Sequence, residues 1–318
     1  MTGTADRRRF LLNTGALALA AAAGSGSAWA QEKSKDAAGT KIVLLGTKGG
    51  PRVGGGRKNP ATLLMIGGVP YVIDCGYGVS EQLVKAGVPL QNLRYIFFTH
   101  LHSDHNLEYG PLVYNAWATG LKQRVDAYGP KTLKHQTLAY FDSMKFDIDI
   151  RIDDEGKPDP RKLVVPHEFF DNGLVMENAD VKVTATRVRH PPIADAYALR
   201  FDTKDRSVVI SGDTNYSPEL IELAKGADVL LHEVLYVPGL DSLLKRVTNA
   251  ATLREHIVAS HTTTEDVGRV AAAAGVKKLV LHHFVPGDDP SITDEMWTEG
   301  VRKHYSGDLV VGRDLMVI

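Results

Sequence analysis

Short hydrophobic runs, separated by polar and glycine-containing breaks, extend through the chain from residue 41 onward. Runs such as 71–74 and 93–98 are rich in β-branched and aromatic residues and too short for helices, so they predict buried strands. The stretch 107–119 instead spaces its hydrophobic residues three and four positions apart, which predicts an amphipathic helix. The pattern therefore indicates an α/β protein built from many short strands.

The predicted elements fall into two similar series of strands with helices between them. The strands cover 41–46, 62–66, 71–74, 93–98, 125–128, 181–188, 196–201, 207–210, 229–231, 278–281, 309–311 and 315–318. The helices cover 81–86, 107–119, 133–144, 218–225, a segment capped by Thr263 or Thr264, and 294–303. We expect two mixed sheets packed face to face, with the helices outside.

Two segments carry neither pattern. Residues 47–60 are rich in glycine and are interpreted as a mobile loop near the functional face, where Arg52, Arg57 and Lys58 are available to an anionic substrate; a merely solvated loop is the alternative. Residues 145–162 are acidic and contain prolines, and are interpreted as an irregular surface insertion.

Composition limits the class of protein. The 318 residues are 43% hydrophobic, enough for one large domain, and we place that domain at 41–318. The net charge of −1 argues against a general nucleic-acid-binding face. The single cysteine, Cys75, excludes an intrachain disulfide and a cysteine-rich zinc site. Because it follows an apolar strand, we expect a buried, inert thiol.

The N-terminus resembles a twin-arginine export signal. Arg7-Arg8-Arg9 is followed by Phe10-Leu11, then by an alanine-rich stretch and small residues around a cleavage site after Ala30. The apolar stretch is too short and too interrupted by glycine to span a bilayer well. We expect residues 1–30 to be a cleaved signal peptide and 31–40 a flexible leader. The mature protein would then be periplasmic or secreted, without a membrane anchor.

Histidine and aspartate residues directly follow several of the predicted strands. The densest group, Thr-His-Leu-His-Ser-Asp-His at 99–105, comes straight after strand 93–98. The residues at such junctions are His100, His102, Asp104, His105, His190, Asp213, His232, His261 and His283. Neutral imidazole and carboxylate suit zinc, and one zinc ion takes three or four protein ligands. Seven strong candidates therefore predict two metals, with Asp213 as the natural bridge because a carboxylate offers two oxygens.

The His-X-His-X-Asp-His segment is similar to the signature of the metallo-β-lactamase-fold hydrolases. The resemblance extends from Leu44 to Phe284 and is strongest to the branch with ribonuclease Z, arylsulfatase-type enzymes and related phosphodiesterases. It implies an αββα sandwich of two mixed sheets flanked by helices.

The resemblance also implies roles for individual residues. His100 and His102 would bind one metal, and Asp104 and His105 the other. His190 matches the histidine of the third motif, Asp213 the bridging aspartate, and His283 the last ligand of the second metal. Ser260-His261-Thr262-Thr263 is similar to the His-Ser-Thr element whose histidine assists catalysis, and His232-Glu233 to the branch's His-Glu. A structural role for His261 is the alternative. His282 is interpreted as a neighbour of a ligand, and His135, His167, His256 and His304 as structural or exposed.

The implied function is a zinc-dependent hydrolase with two zinc ions per chain, iron or manganese being alternatives. A hydroxide bridging the metals would attack a phosphodiester or sulfate ester, with Asp104 orienting it and His261 donating a hydrogen bond or proton. Arylsulfatase activity and hydrolysis of a lactone or other carboxylic ester are alternatives. An iron-dependent oxidoreductase is a further one, although the diiron oxygen reductases typically carry glutamate where this chain has His102. A noncatalytic metal- or ligand-binding protein completes the set.

The expected partner is a small anionic ester. The glycine-rich arm with which ribonuclease Z grips tRNA is not identified in residues 140–170, and their acidic side chains would repel a polyanion. No nucleic acid is therefore expected, and a homodimer is left open.

Overall fold

A computed structural model describes residues 39–318 of the chain. The export signal predicted for residues 1–30, and nearly all of the leader predicted for 31–40, lie outside the described residues. No helix within 39–318 is long and apolar enough to cross a membrane.

The strands form two mixed sheets. They are β1 (Lys41–Gly46), β2 (Ala61–Ile66), β3 (Val69–Ile73), β4 (Tyr95–Phe97), β5 (Val125–Gly129), β6 (Val164–Glu168), β7 (Gly173–Glu177), β8 (Val181–Arg187), β9 (Tyr197–Thr203), β10 (Ser207–Ile210), β11 (Val229–Leu235), β12 (Lys278–Val285) and β13 (Asp308–Val311). The first sheet has the order β1-β2-β3-β4-β5-β6 and the second β13-β12-β11-β10-β9-β8-β7. In each sheet one half is antiparallel and the other parallel.

The helices lie in the connections. They are α1 (Val79–Lys85), α2 (Ser103–Asn106), α3 (Tyr109–Ala118), α4 (Leu133–Ser143), α5 (Lys145–Glu155), α6 (Pro160–Leu163), α7 (Pro218–Ala224), α8 (Leu240–Arg246), α9 (Leu253–Ser260), α10 (Thr264–Ala274) and α11 (Asp294–Arg302). Thr263 caps α10 by accepting a hydrogen bond from the backbone N–H of Asp266, which confirms one of the two predicted caps.

Three hydrophobic clusters separate the layers. The inner cluster lies between the sheets and contains Tyr71, Phe97 and Phe201. A second joins the outer face of the first sheet to α1, α3 and α4. A third joins the outer face of the second sheet to α7, α10 and α11. The layers are therefore helix, sheet, sheet, helix, which confirms the predicted αββα sandwich.

A tight hairpin joins β2 to β3, as the glycine pair between the two apolar runs predicts. Gly67 and Gly68 have φ angles of 56° and 80°, and a pair of glycines adopts two successive left-handed conformations without strain. This turn fixes the register in which Thr62 pairs with Ile73, so that Asp74 emerges from the end of β3.

The irregular insertion predicted for residues 145–162 is wrong, because the segment contains α5 and α6. Ile148 is fully buried and Ile152, four positions on, packs against the same cluster, which gives α5 an apolar stripe. Opposite charges four positions apart pair along the helix: Lys145 with Asp149, Asp147 with Arg151, and Arg151 with Glu155. Gly156 ends the helix in the left-handed conformation.

The glycine-rich loop 47–60 is held from inside by a buried lysine. The Nζ of Lys48 donates to the backbone carbonyls of Arg52 and Gly54. The guanidinium of Arg57 lies 4.4 Å from the ring centroid of Phe284, and Lys58 pairs with Glu81 on α1. Arg57 and Lys58 are thus occupied by structural contacts. Of the three basic residues expected to meet a substrate, only Arg52 lines the cavity that His102 and Asp213 also line.

Candidate metal centre and active site

The histidine cluster sits where β4 ends. Because β3, β4 and β5 are parallel, their carboxyl ends meet at one edge of the sheet. Residues 99–105 leave β4 at that edge, and the short helix α2 carries Asp104 and His105 inward. Asp213 follows β10 of the second sheet, and His283 lies within β12, which is longer than predicted. The packing of the two sheets brings these residues together.

The first candidate metal group consists of His100, His102, His190 and Asp213. The Nδ1 of His102 lies 3.1 Å from the Nε2 of His100 and 3.0 Å from the Nε2 of His190. His100, His190 and Asp213 are almost wholly buried. Three imidazole nitrogens and one carboxylate oxygen therefore face one point, a donor set that suits zinc.

The second group consists of Asp104, His105, Asp213 and His283. The Nε2 of His283 lies 3.4 Å from Oδ2 of Asp104. The same carboxylate oxygen accepts a hydrogen bond of 2.8 Å from the backbone N–H of Gly50, which ties loop 47–60 to the site. All four side chains are buried, and burying ionised groups without a counter-charge is costly.

Asp213 belongs to both groups and divides its two oxygens between them. Its Oδ1 lies 3.2 Å from the Nε2 of His105 and 3.1 Å from the Nε2 of His283. Its Oδ2 lies 3.8 Å from the Nε2 of His100 and 3.9 Å from the Nε2 of His190. This is the arrangement that a carboxylate shared by two metal ions requires.

Hydrogen bonds orient the far nitrogens of the candidate ligands. The Nδ1 of His105 lies 2.8 Å from Asp74, the Nδ1 of His100 lies 3.1 Å from the hydroxyl of Thr99, and the Nδ1 of His190 lies 2.9 Å from the carbonyl of Ser260. Such partners fix each ring and leave the other nitrogen for a metal. Sequence reasoning missed Asp74 in this role, although its position at a strand end is the signal that found Asp213.

Gly49 is required by the site. A Cβ placed on it would lie 2.6 Å from the ring of His283, which is closer than any real contact. His283 itself has a φ of 47°, in the left-handed region that a non-glycine residue seldom adopts. The absent side chain of Gly49 thus gives His283 the space to point into the second group.

The buried polar atoms of the two groups fit metal ions. Among the described residues, the Nε2 atoms of His105 and His283 and the Oδ1 of Asp213 are buried without a hydrogen-bond partner. Burial lowers the pKa of His283, but the charges of Asp213 and Asp104 outweigh it and raise the pKa to about 10. The carboxylates thus demand nearby positive charge, which either protons or metal ions can supply.

A buried glutamate orients His261 beside this centre. The Nδ1 of His261 lies 3.3 Å from Oε1 of Glu233, and this oxygen also accepts hydrogen bonds from the backbone N–H groups of Thr214 and Thr262. Burial lowers the pKa of His261, but the charge of Glu233 outweighs that effect and raises it. The side chains of Glu233, His261 and His283 also lie close enough together to form a third candidate metal-binding group.

Of the remaining histidines, two are buried in strands and one was missed as a lining residue of the cavity. His232 and His282 are buried, lie in β11 and β12, and join neither of the two main groups. His256, expected to be structural or exposed, instead lines the cavity above the site from α9. His256 lies one helical turn before Ser260, whose carbonyl contacts His190. A helix predicted at 253–260 would therefore have placed His256 near the site. Cys75 is wholly buried, and burial raises the pKa of its thiol, as expected for an inert side chain.

The candidate groups open into a cavity of about 280 Å³. His102, Asp104, His190, Asp213 and His261 form its floor, and loop 47–60 forms one side through Gly49, Gly50 and Arg52. The other side is apolar and comes from α8, α9 and the end of β12. A small molecule therefore has access to both groups at once.

If metal ions occupy these groups, chelating them should destabilise the protein. If the free metal concentration stands at 1,000 times its dissociation constant, binding stabilises the fold by about 4 kcal/mol. That corresponds to a fall in Tm of roughly 7 °C for a domain of this size. Calorimetry before and after chelation measures the change, and restoring zinc is the control. An unchanged Tm would contradict the assignment of a metal to these groups.

Residues 71–284 match the family described as the β-lactamase superfamily domain. This match covers most of the chain and includes every residue of the two candidate metal groups. The chain therefore belongs to the β-lactamase superfamily and is a metal-dependent hydrolase of that fold.

Among the most similar relatives are proteins named ribonuclease Z. A ribonuclease Z of Mycobacterium marinum is 30% identical over 279 residues, which cover 86% of this chain and 96% of that enzyme. The metallo-β-lactamase fold protein YhfI of Bacillus subtilis is similar in structure, with a TM-score of 0.66, 20% identity, and coverage of 88% of this chain and 98% of that one. The short form of human tRNase Z has a TM-score of 0.62, 21% identity, and coverage of 87% and 98%.

These comparisons confirm the predicted fold and its resemblance to ribonuclease Z. The names of the relatives indicate enzymes that act on RNA, which stands in tension with the expectation that nucleic acid is not a partner. The bond cleaved, the identity of the metal, the roles of single residues and export stay predictions.

Proposed function

We propose that the protein is a two-metal phosphodiesterase that cleaves a small anionic phosphodiester. The observation that carries the proposal is the position of Asp213, with one carboxylate oxygen directed at each of two buried histidine groups. The relatives at 30% identity are named for the cleavage of RNA, whose backbone is a chain of phosphodiesters, and this supports phosphorus as the centre attacked.

In this proposal His100, His102, His190 and Asp213 hold one ion, and Asp104, His105, Asp213 and His283 hold the other. Imidazole and carboxylate ligands favour zinc, with manganese and iron as alternatives that elemental analysis separates. When bound, a pair of such ions supplies Lewis acidity and makes hydroxide available at neutral pH.

The chain's own residues position the reactants. Asp104 is held by the N–H of Gly50 and faces the cavity, where it orients the attacking water and accepts its proton. His261 also faces the cavity, and Glu233 stabilises its protonated form, so His261 donates a hydrogen bond or proton to the oxygen that leaves phosphorus. The small cavity positions the ester between these two groups.

Export is part of the proposal. The twin-arginine pattern at residues 1–30 would carry the mature protein to the periplasm or outside the cell. An exported enzyme is separated from cytoplasmic tRNA, which favours a small substrate over an RNA precursor.

The test is metal analysis of the purified protein together with a panel of chromogenic esters. We expect about two zinc ions per chain and turnover of bis-p-nitrophenyl phosphate. Turnover of p-nitrophenyl sulfate or of a lactone without turnover of the phosphodiester would overturn the proposed substrate class. Iron with no ester hydrolysis would overturn the hydrolytic reaction and favour an oxidoreductase, and bound metal without any activity would favour a noncatalytic binding protein.

A further inference from the structure

One side of the cavity is an apolar wall. Helices α8 and α9 fold into a hairpin that lines the cavity. Leu243 of α8, Leu253 and Ile257 of α9, and Val247 of the connection between them are the lining residues. Val285 and Pro286, after β12, continue the same surface. We call these six residues the apolar wall. None of them belongs to a candidate metal group.

Some residues of the apolar wall are buried in a hydrophobic cluster, and others are only half-buried. Leu243, Ile257 and Val285 are buried in a small hydrophobic cluster of their own, separate from the three clusters between the layers. Val247 and Leu253 pack on its edge but are only half-buried. Their exposed part faces the cavity. Hydrophobic surface held open toward a site is typical of ligand recognition.

Polar contacts join α8 to α9 and to the loop after β12. Arg246 of α8 forms a salt bridge with Asp288, and Arg254 of α9 forms one with Asp241 of α8. The hydroxyl of Ser242 donates to Asp289, 2.5 Å away. The apolar wall is therefore fixed relative to the loop after β12, and its shape is preformed for a ligand.

Positive charge around the cavity is already compensated. Arg52 lines the cavity, but its Nη2 lies 2.9 Å from Asp288, which also binds Arg246. Among the described lining residues, no lysine and no other arginine is present. A polynucleotide needs several cations along its path, whereas a single phosphodiester is neutralised by the metal centre itself.

We infer that the substrate carries an apolar group, aryl or branched alkyl, that packs against the apolar wall while its phosphodiester lies at the metal groups. This inference rests on the proposed function and names its substrate class. Burial of such a group removes apolar surface from water on both partners and supplies binding energy that a methyl or ribose group cannot. The chain would accordingly prefer a small aryl or alkyl phosphodiester to a nucleotide.

The experiment uses three diesters with the same p-nitrophenolate leaving group, whose second substituent is phenyl, methyl or thymidine. We expect kcat/KM for the phenyl ester to exceed that for the methyl ester by at least about tenfold, and to exceed that for the thymidine ester. In V247N and L253N, the phenyl-to-methyl ratio should fall to about threefold or less. The matched control is V258N, because Val258 is an exposed aliphatic residue of α9 that does not line the cavity.

Equal rates for the three esters, a preference for the thymidine ester, or an unchanged ratio in V247N and L253N would overturn the inference. A failure of the proposed function looks different, because then none of the three phosphodiesters is hydrolysed. In that case, titration calorimetry of the zinc-loaded protein decides: diphenyl phosphate should bind at least about tenfold more tightly than dimethyl phosphate, and V247N should lose the difference. Equal binding of the two would overturn the inference.

Discussion

Replacing Asp213 with asparagine should reduce phosphodiester turnover by about 10³-fold and remove at least one metal ion per chain. The amide keeps the shape of the side chain but replaces one oxygen with an N–H donor, so it can serve only one of the two groups that Asp213 now faces. The loss of charge also leaves His105 and His283 without the carboxylate nearest to both. A 10³-fold effect corresponds to about 4 kcal/mol of transition-state stabilisation, which is within what metal ions supply.

Elemental analysis and a steady-state assay on D213N measure both effects. D154N is the matched control, because Asp154 is an exposed carboxylate on α5, remote from the site. Two retained metals with turnover within tenfold of the wild type would show that Asp213 does not bridge the groups.

Replacing His261 with alanine should lower kcat by about 10² to 10³-fold and leave the metal content near that of the wild type. Its position beside Glu233 and at the cavity fits a proton donor, and positioned acids and bases contribute about 10² to 10⁴-fold. The E233Q variant should show a smaller loss of the same kind, because the amide holds the ring without stabilising its charge.

The control for His261 is H135A, which removes an exposed histidine from α4. A loss of metal in H261A would instead assign His261 to the third group with Glu233 and His283, as a ligand and not as a proton donor. Unchanged kcat with full metal content would leave His261 a purely structural role.

Much of the fold could be predicted because its signals are local. The β10 strand was predicted at its observed bounds, and β1 also matched, since short β-branched runs mark buried strands wherever they pack. The ends of β11 and β12 were missed, because His232-Glu233 and His282-His283 interrupt the hydrophobic pattern while remaining in the strands. Buried polar residues with a function break the very pattern that identifies a strand.

Other features required contacts that no local pattern contains. α5 was missed because its many aspartates hid an apolar stripe around Ile148, and its stability depends on packing and on ion pairs along its exposed face. The hairpin of α8 and α9 received no prediction at all, and with it the position of His256 was missed.

The sequence by itself determined the chemistry of the centre: which imidazoles and carboxylates are present, and that their number suits two metals. Only the tertiary structure decided how Asp213 divides its oxygens between two groups, that Asp74 and Glu233 orient the rings of His105 and His261, and that an apolar wall faces the metal groups. The reason is physical. Ligand identity is a property of single side chains, whereas the distances between them are set by two sheets packing face to face, which joins residues far apart in the chain.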